Sequence, residues 1–98
     1  MATYMIARYD IENPEEYMRY ALAADSLLEK HGGELLVADD QATSIEGQGG
    51  CVSAVVAFDT QEAAMEFYND PDYQALKKIR LGATTNGSVV IATSNNAA

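Results

Sequence analysis

Cysteine and histidine are almost absent from this sequence of 98 residues, which has one of each, Cys51 and His31. One cysteine excludes an internal disulfide and a cysteine-based metal cluster, and one histidine excludes a site with several histidine ligands. Cys51 follows two glycines and has no cationic neighbour in sequence, which favours a free thiol over a nucleophile. The chain also lacks a glycine-rich phosphate cradle and a nucleophile motif. We therefore expect neither a metal nor a cofactor.

Basic residues are scarce, with 6 lysines and arginines against 15 acidic residues and a formal net charge of -9. Nucleic-acid binding depends mainly on cationic contacts to phosphate, so no nucleic-acid partner is expected. The one basic cluster contains Lys77, Lys78 and Arg80. Its simplest interpretation is a solvated helix face that complements a helix C-terminus.

Long hydrophobic runs are also missing. The apolar segment 4–7 leads directly into Arg8 and Asp10, so it is too short for the core of a signal peptide. No other run approaches the length of a membrane span. These observations predict a cytoplasmic protein without a membrane partner. The chain length predicts one domain over residues 1–93, followed by a frayed tail over residues 94–98.

The pattern of apolar residues predicts four strands, over residues 3–9, 35–38, 52–58 and 88–93. The second strand has a possible continuation over residues 43–46, and Asn86-Gly87 is typical of a turn. A first helix begins at the cap Asn13 with Pro14 at its first position and ends near residue 30. Thr60 caps a second helix, and Asp70 caps a third that ends near residue 81.

The order of these elements is that of the split β-α-β, or ferredoxin-like, α+β fold. This fold has a four-stranded antiparallel sheet with the first and third strands in the centre and the helices on one face. A sheet covered on one face should alternate apolar and polar residues. Segments 52–58, 89–92 and 35–38 are instead apolar on both faces. The exposed apolar face predicts a homodimer through sheet faces. A monomer that tolerates an apolar sheet is the alternative.

Several segments carry a family resemblance. The most distinctive is the run from Phe67 to Leu76 with Arg80 after it, and others are Ile6-Ala7-Arg8, Asn13-Pro14-Glu15 and the run from His31 to Val37. Over about residues 4–91 the chain resembles the domain of unknown function 1330 family. The resemblance implies a ferredoxin-like fold in the dimeric α+β barrel superfamily. That superfamily includes cofactor-free monooxygenases, isomerases, haem-handling enzymes and ligand-sensing modules, so it does not assign a reaction.

Three residues are candidates for catalysis. Arg8 could bind a carboxylate or enolate in a cleft, or instead pair with Asp10 or Glu46. His31 titrates near neutrality and could act as a general base, or instead serve as a cation at the end of a helix. Glu46 could abstract a proton if partly desolvated, or could be a solvated acid at a strand end.

The other candidates would bind substrate. Tyr17, Tyr68 and Tyr73 would line a pocket and donate hydrogen bonds from their hydroxyl groups to an oxyanion, or would be ordinary core residues. Tyr4 shares the strand face of Arg8, and Asp10 and Arg80 complete the substrate-binding set.

Two functional hypotheses follow from these candidates. The first is a small cofactor-independent enzyme, of the proton-transfer, isomerase or monooxygenase type, that acts on an aromatic or carbonyl metabolite. The second is a non-catalytic dimer that binds a metabolite or serves as an accessory module.

Overall fold

The computed structural model describes residues 2–95. Within them, four antiparallel strands form one sheet in the order β2-β3-β1-β4, together with three helices. The elements in chain order are β1 (Thr3–Ile11), α1 (Pro14–Lys30), β2 (Glu34–Asp39), β3 (Val52–Phe58), α2 (Gln61–Asn69), α3 (Pro71–Ala83) and β4 (Thr84–Thr93). The first and third strands are central, so the predicted ferredoxin-like α+β arrangement is confirmed.

The first helix begins and ends at the predicted residues. The side-chain oxygen of Asn13 accepts a hydrogen bond from the backbone N–H of Glu16 at 3.2 Å, which satisfies a free donor in the first turn. At the other end, the backbone N–H of Gly33 donates to the carbonyl of Leu28 at 2.8 Å. Gly32 lies between them with φ of 73°, a left-handed conformation that favours glycine. These contacts turn the chain from α1 into β2.

Asp70 joins three helices. It ends α2, and its carboxylate caps α3 by accepting the backbone N–H of Asp72 at 2.9 Å. The same carboxylate lies 2.8 Å from Nε2 of His31 and 3.1 Å from Nζ of Lys30, at the end of α1. The His31 contact, the Asp72 N–H and Lys30 together lower the pKa of Asp70 to about 2.

The last strand begins earlier than predicted. Asn86-Gly87 was expected to be a turn, but this prediction was wrong because both residues lie within β4. Arg8 pairs with Ser88 and Asp10 pairs with Thr85, so Asn86 and Gly87 together face the single residue between Arg8 and Asp10. This arrangement is a β-bulge, and Asn86 accommodates it with φ of 55°.

The predicted continuation of the second strand over residues 43–46 was also wrong, because β2 ends at Asp39 and a loop follows. The end of this loop is held by β1. Nη2 of Arg8 donates to the carbonyl of Gly49 at 3.2 Å, and the backbone N–H of Cys51 donates to the carboxylate of Asp10 at 3.0 Å. The Cys51 N–H and the side-chain amide of Asn86 lower the pKa of Asp10.

The helices cover one face of the sheet. The core cluster joins Met5, Val56 and Phe58 of the sheet to Leu28, Ala64, Phe67 and Tyr73 of the three helices. The opposite face is open. Strand pairing places four apolar residues in one row across it, Val37, Val55, Ile6 and Val90. The two outer members of this row, Val37 and Val90, are 44% and 52% exposed.

No helix within residues 2–95 is long and apolar enough to span a bilayer. Of the expected frayed tail, residues 96–98 lie outside the described residues. The backbone N–H of Ser94 donates to the carbonyl of Ala2 at 2.9 Å.

Candidate ligand-binding cleft

A cleft of about 130 Å³ lies between the helix-covered face of the sheet and helices α1 and α3. Strand pairing places Ala38, Ala54 and Ala7 side by side across β2, β3 and β1, and all three line the cleft. Ala21 and Ala24 of α1 line it from the helix layer. Because five small side chains face one another here, the two layers leave space that larger residues would fill.

Arg80 extends into this cleft from the last turn of α3 and is 5% exposed. Its guanidinium carbon lies 5.8 Å from the ring centre of Tyr9 and 6.0 Å from that of Tyr20. Its Nε is buried without a hydrogen-bond partner, and no residue in the range 2–95 forms an ion pair with it. A buried cation without an acidic partner is unfavourable, so the cleft is electrostatically suited to an anion.

Four tyrosines form two hydroxyl pairs around Arg80. The hydroxyl oxygens of Tyr9 and Tyr17 are 2.8 Å apart, and those of Tyr20 and Tyr73 are 2.9 Å apart. Each pair uses one of its two hydroxyl protons in the shared hydrogen bond. The second proton of each pair has no acceptor among the described residues, so each pair can donate one hydrogen bond to a ligand.

Tyr9 and Tyr20 act as donors and not as bases. Burial first, and then the hydrogen bond shared with Tyr17, raise the pKa of Tyr9 well above its usual value. Burial and the neighbouring Tyr73 do the same for the pKa of Tyr20, while Arg80 opposes both shifts. Both hydroxyls therefore stay protonated at physiological pH.

One carboxylate lines the cleft in the described part of the chain. It belongs to Asp25 of α1, whose side chain is exposed. Leu35 lies on the same side and is 45% exposed. The cleft thus has a cationic, hydroxyl-rich end at Arg80 and an open mouth that carries an acid.

The structure brings together three of the residues that the sequence suggested. Tyr17, Tyr73 and Arg80 all line the cleft. Tyr68 lies behind them, with its ring centre 5.5 Å from that of Tyr73 and Nζ of Lys77 5.2 Å from its own centre. It contacts the site without lining it.

The remaining suggested residues lie elsewhere. Tyr4, Arg8 and Asp10 alternate onto the open face of the sheet, opposite the helix layer, since Met5, Ala7 and Tyr9 face the cleft. The guanidinium of Arg8 is therefore not in the cleft.

Glu46 is exposed in the loop before β3. His31 contacts Asp70 and lies behind Phe67, with their ring centres 6.0 Å apart, while Phe67 itself lines the cleft. The three catalytic candidates, Arg8, His31 and Glu46, therefore lie in three separate places and do not form one site.

Sequence reasoning missed Tyr9 and Tyr20. The alternation of β1 gave a signal for Tyr9, which follows Met5 and Ala7 on one strand face. Tyr20 lies three residues after Tyr17, a spacing that places both on one side of α1 and was a signal for Tyr20. No signal in the sequence showed that Arg80, in a basic cluster, would be buried.

Solved structures with similar folds share little sequence with this chain. A dimeric ferredoxin-like protein of unknown function from Jannaschia sp. CCS1 has a TM-score of 0.81 at 14% identity, covering 96% of this chain and 100% of that one. A protein of unknown function from Rhodopseudomonas palustris has a TM-score of 0.80 at 15% identity, covering 95% and 82%. A variant of SnoaB, a cofactor-independent oxygenase from Streptomyces nogalater, has a TM-score of 0.71 at 11% identity. The match covers 97% of this chain and 94% of that one.

At these identities the likeness establishes the fold alone. No curated protein matches the chain in sequence. The family model named Domain of unknown function (DUF1330) matches residues 2–94, which is nearly the whole chain. With its ferredoxin-like sheet, this protein therefore belongs to the DUF1330 family.

Proposed function

We propose that this protein is a cofactor-independent enzyme that binds a small carbonyl metabolite in the cleft and stabilises the oxyanion formed during proton transfer. One observation carries the proposal, namely that Arg80 is buried in the cleft without an acidic partner. A protein gains no stability from an uncompensated buried charge, so this cation is best explained by a ligand that supplies the negative charge.

The groups in the cleft match the charge changes of such a reaction. A C–H bond next to the substrate carbonyl breaks, and its electron pair moves onto the carbonyl oxygen. The proton passes, through water at the open mouth, to the carboxylate of Asp25, and its return to a different substrate atom gives an isomer. Arg80 and one hydroxyl of each tyrosine pair stabilise the oxyanion.

The fold is compatible with catalysis that needs no cofactor. SnoaB shares the fold and is a cofactor-independent oxygenase. The cleft of this protein likewise offers a cation, hydroxyl donors and an acid to a substrate, so the proposed reaction needs no cofactor. This likeness supports the proposal at the level of the fold and does not identify a substrate.

We also propose that the protein works as a homodimer through the open faces of its sheets. The row formed by Val37, Val55, Ile6 and Val90 is apolar and uncovered in the single chain. A second copy would cover it in a two-fold contact, and the Jannaschia structure with the same fold is dimeric.

Sedimentation velocity at low micromolar concentration tests this assembly. Val90→Lys, on an exposed position of β4, should shift the mass from two chains to one, whereas Leu81→Lys, on α3 and 59% exposed, should not. A wild-type mass of one chain would refute the dimer.

Hydrogen–deuterium exchange tests the catalytic proposal. Small ketones and oxo acids are incubated in D₂O with the purified protein, and loss of α-proton signals is followed by NMR. We expect at least one compound to exchange faster with wild type, and Arg80→Gln to lose this acceleration about 100-fold or more. Lys78→Gln, an exposed change on the same helix, should keep it. Equal exchange by wild type and Arg80→Gln would refute the role of Arg80.

The second candidate is a non-catalytic metabolite-binding dimer. The raised pKa values of Tyr9 and Tyr20 favour it, because these two hydroxyls at the deep end of the cleft are donors and not bases. It predicts that a ligand raises the melting temperature without exchange or product formation. Hydrogen–deuterium exchange by wild type that is lost in Asp25→Asn would instead show that the protein is an enzyme.

A further inference from the structure

We infer that the cleft binds a single-ring organic anion whose charge is spread over two coplanar oxygens, with the anion at Arg80 and the ring on the alanine floor. Carboxylates and the enolates of dicarbonyl compounds both have this chemistry. The inference rests on the proposed function, because it concerns the same cleft, and it specifies the substrate class.

The charge and shape of the ligand's polar end follow from Arg80. A guanidinium is planar and presents parallel N–H donors that match both oxygens of a carboxylate, or one oxygen of a dicarbonyl enolate whose second oxygen accepts from a tyrosine hydroxyl. The Nε of Arg80 has no partner, and the hydroxyl pairs Tyr9–Tyr17 and Tyr20–Tyr73 each leave one donor unused. One negative charge balances Arg80, since no other cation lines the cleft in the described residues.

The size of the apolar end follows from the floor and the walls. The cleft holds about 130 Å³, and an engineered apolar cavity of about 150 Å³ in another protein accommodates benzene. The floor formed by Ala7, Ala38 and Ala54 is flat because its side chains are single methyl groups. The rings of Tyr17 and Phe67 line the cleft beside it, and flat aromatic walls favour a flat ligand.

A second fused ring would not find enclosed space. Beyond the alanine floor the cleft opens at Leu35, which is half-exposed, and at the carboxylate of Asp25. A ring placed there would remain in water beside an acid. A two-ring anion therefore gains no affinity from its second ring, because that ring contacts no apolar wall. An anion without a ring binds more weakly because it leaves the alanine floor uncovered.

Isothermal titration of the full chain with five probes tests this inference. Benzoate represents the carboxylates and 1,3-cyclohexanedione, an enolate at neutral pH, represents the dicarbonyls. Acetate, 2-naphthoate and benzamide vary the ring and the charge. We expect benzoate or 1,3-cyclohexanedione to bind at least 10-fold more tightly than acetate and benzamide, and 2-naphthoate to bind no more tightly than benzoate. The tighter of the first two identifies the source of the anion.

Filling the floor gives a second measurement. Ala54→Leu should weaken binding of the single-ring anion at least 10-fold and leave acetate binding within about 2-fold, whereas Ala23→Leu, on the exposed side of α1, should change neither. Ala38→Leu on the edge strand β2 is a substitute if Ala54→Leu does not fold.

The outcomes separate this inference from the function it rests on. Equal affinity for acetate, benzoate and 2-naphthoate, abolished by Arg80→Gln, would overturn the single-ring limit and leave the anion site in place. Equal affinity for benzoate and benzamide would overturn the charge requirement. If no probe binds while larger ketones still exchange with deuterium in an Arg80-dependent manner, the substrate class is wrong and the proposed function stands. If neither binding nor exchange depends on Arg80, both are wrong.

Discussion

Nε2 of His31 lies 2.8 Å from the carboxylate of Asp70, and this contact fixes the end of α1 to the junction between α2 and α3. The two residues are 39 positions apart in sequence. Asp70 is buried and also caps α3, so one carboxylate holds three helices over the sheet. Because Phe67 lies between this junction and the cleft, the contact also supports one wall of the ligand site.

Acid should weaken this junction. The pKa of Asp70 is about 2 in the folded protein, below its ordinary value of 3.8. A lowered folded-state pKa gives stability that is complete above the unfolded-state value and is lost as the pH falls from about 4 to 2. We expect thermal melting of wild type to show this loss between those values. Asp70→Asn should already be less stable at pH 6 and should lose less between pH 4 and 2, whereas Asp40→Asn, in an exposed turn, should behave like wild type. Parallel curves for wild type and Asp70→Asn would contradict the assignment.

The bulge in β4 should depend on the residue at its left-handed position. Asn86 has φ of 55°, a conformation that asparagine and glycine tolerate and β-branched residues do not. Asn86→Val should lower the free energy of unfolding by about 1–2 kcal/mol, while Asn86→Gly should change it by less because only an exposed hydrogen bond to Asp10 is lost. Urea unfolding measures both. Thr93→Val, in the regular end of the same strand, is the control. If Asn86→Val and Asn86→Gly change the free energy of unfolding equally, the prediction is wrong.

Local signals predicted most of the fold. Caps at Asn13, Thr60 and Asp70 placed all three helix starts, because capping depends on neighbouring residues alone. Asn86-Gly87 was misread because a turn and a bulge require the same left-handed backbone, and only strand pairing distinguishes them.

The site was harder to predict than the fold. A cleft was one of two alternatives predicted for Arg8, the other being an ion pair, because the face that Arg8 occupies is set by the register of the whole sheet. Arg80 was included in the substrate-binding set, but its cluster with Lys77 and Lys78 was interpreted as a solvated face, because burial of a cation is decided by tertiary packing. Tyr17 and Tyr73 were identified as inward-facing aromatic residues. Their hydroxyl partners, Tyr9 and Tyr20, were missed because each lies on a different element from the residue with which it pairs.

The hydroxyl pair of Tyr20 and Tyr73 should show energetic coupling. The two oxygens are 2.9 Å apart and share one hydrogen bond, so either single phenylalanine variant removes it and leaves the other hydroxyl without a partner. Each of Tyr20→Phe and Tyr73→Phe should lower the free energy of unfolding by about 1–2 kcal/mol, and the double variant by less than their sum. Tyr4→Phe, on the open face, should have little effect. Strict additivity in urea unfolding would show that the pair is not coupled.

Removing the charge at Arg80 should stabilise the free protein. Arg80 is 5% exposed, its Nε has no partner, and its favourable contacts are with the rings of Tyr9 and Tyr20 at about 6 Å. Methionine fills similar space without a charge, and replacing buried ionic groups by apolar residues of similar volume is often neutral or stabilising by about 1–4 kcal/mol. We therefore expect Arg80→Met to raise the free energy of unfolding by about 1 kcal/mol or more and to abolish binding of anions.

Urea unfolding at one fixed chain concentration measures this effect, because assembly would make stability depend on concentration. Lys78→Met, on the exposed side of α3, controls for the general effect of removing a positive charge from an acidic protein, and it should not stabilise. A gain in stability together with loss of anion binding is typical of a residue retained for function at the expense of stability. If Arg80→Met instead lowers the free energy of unfolding by more than about 1 kcal/mol, Arg80 is a structural residue whose ring contacts outweigh its desolvation, and the electrostatic case for an anion in the cleft fails.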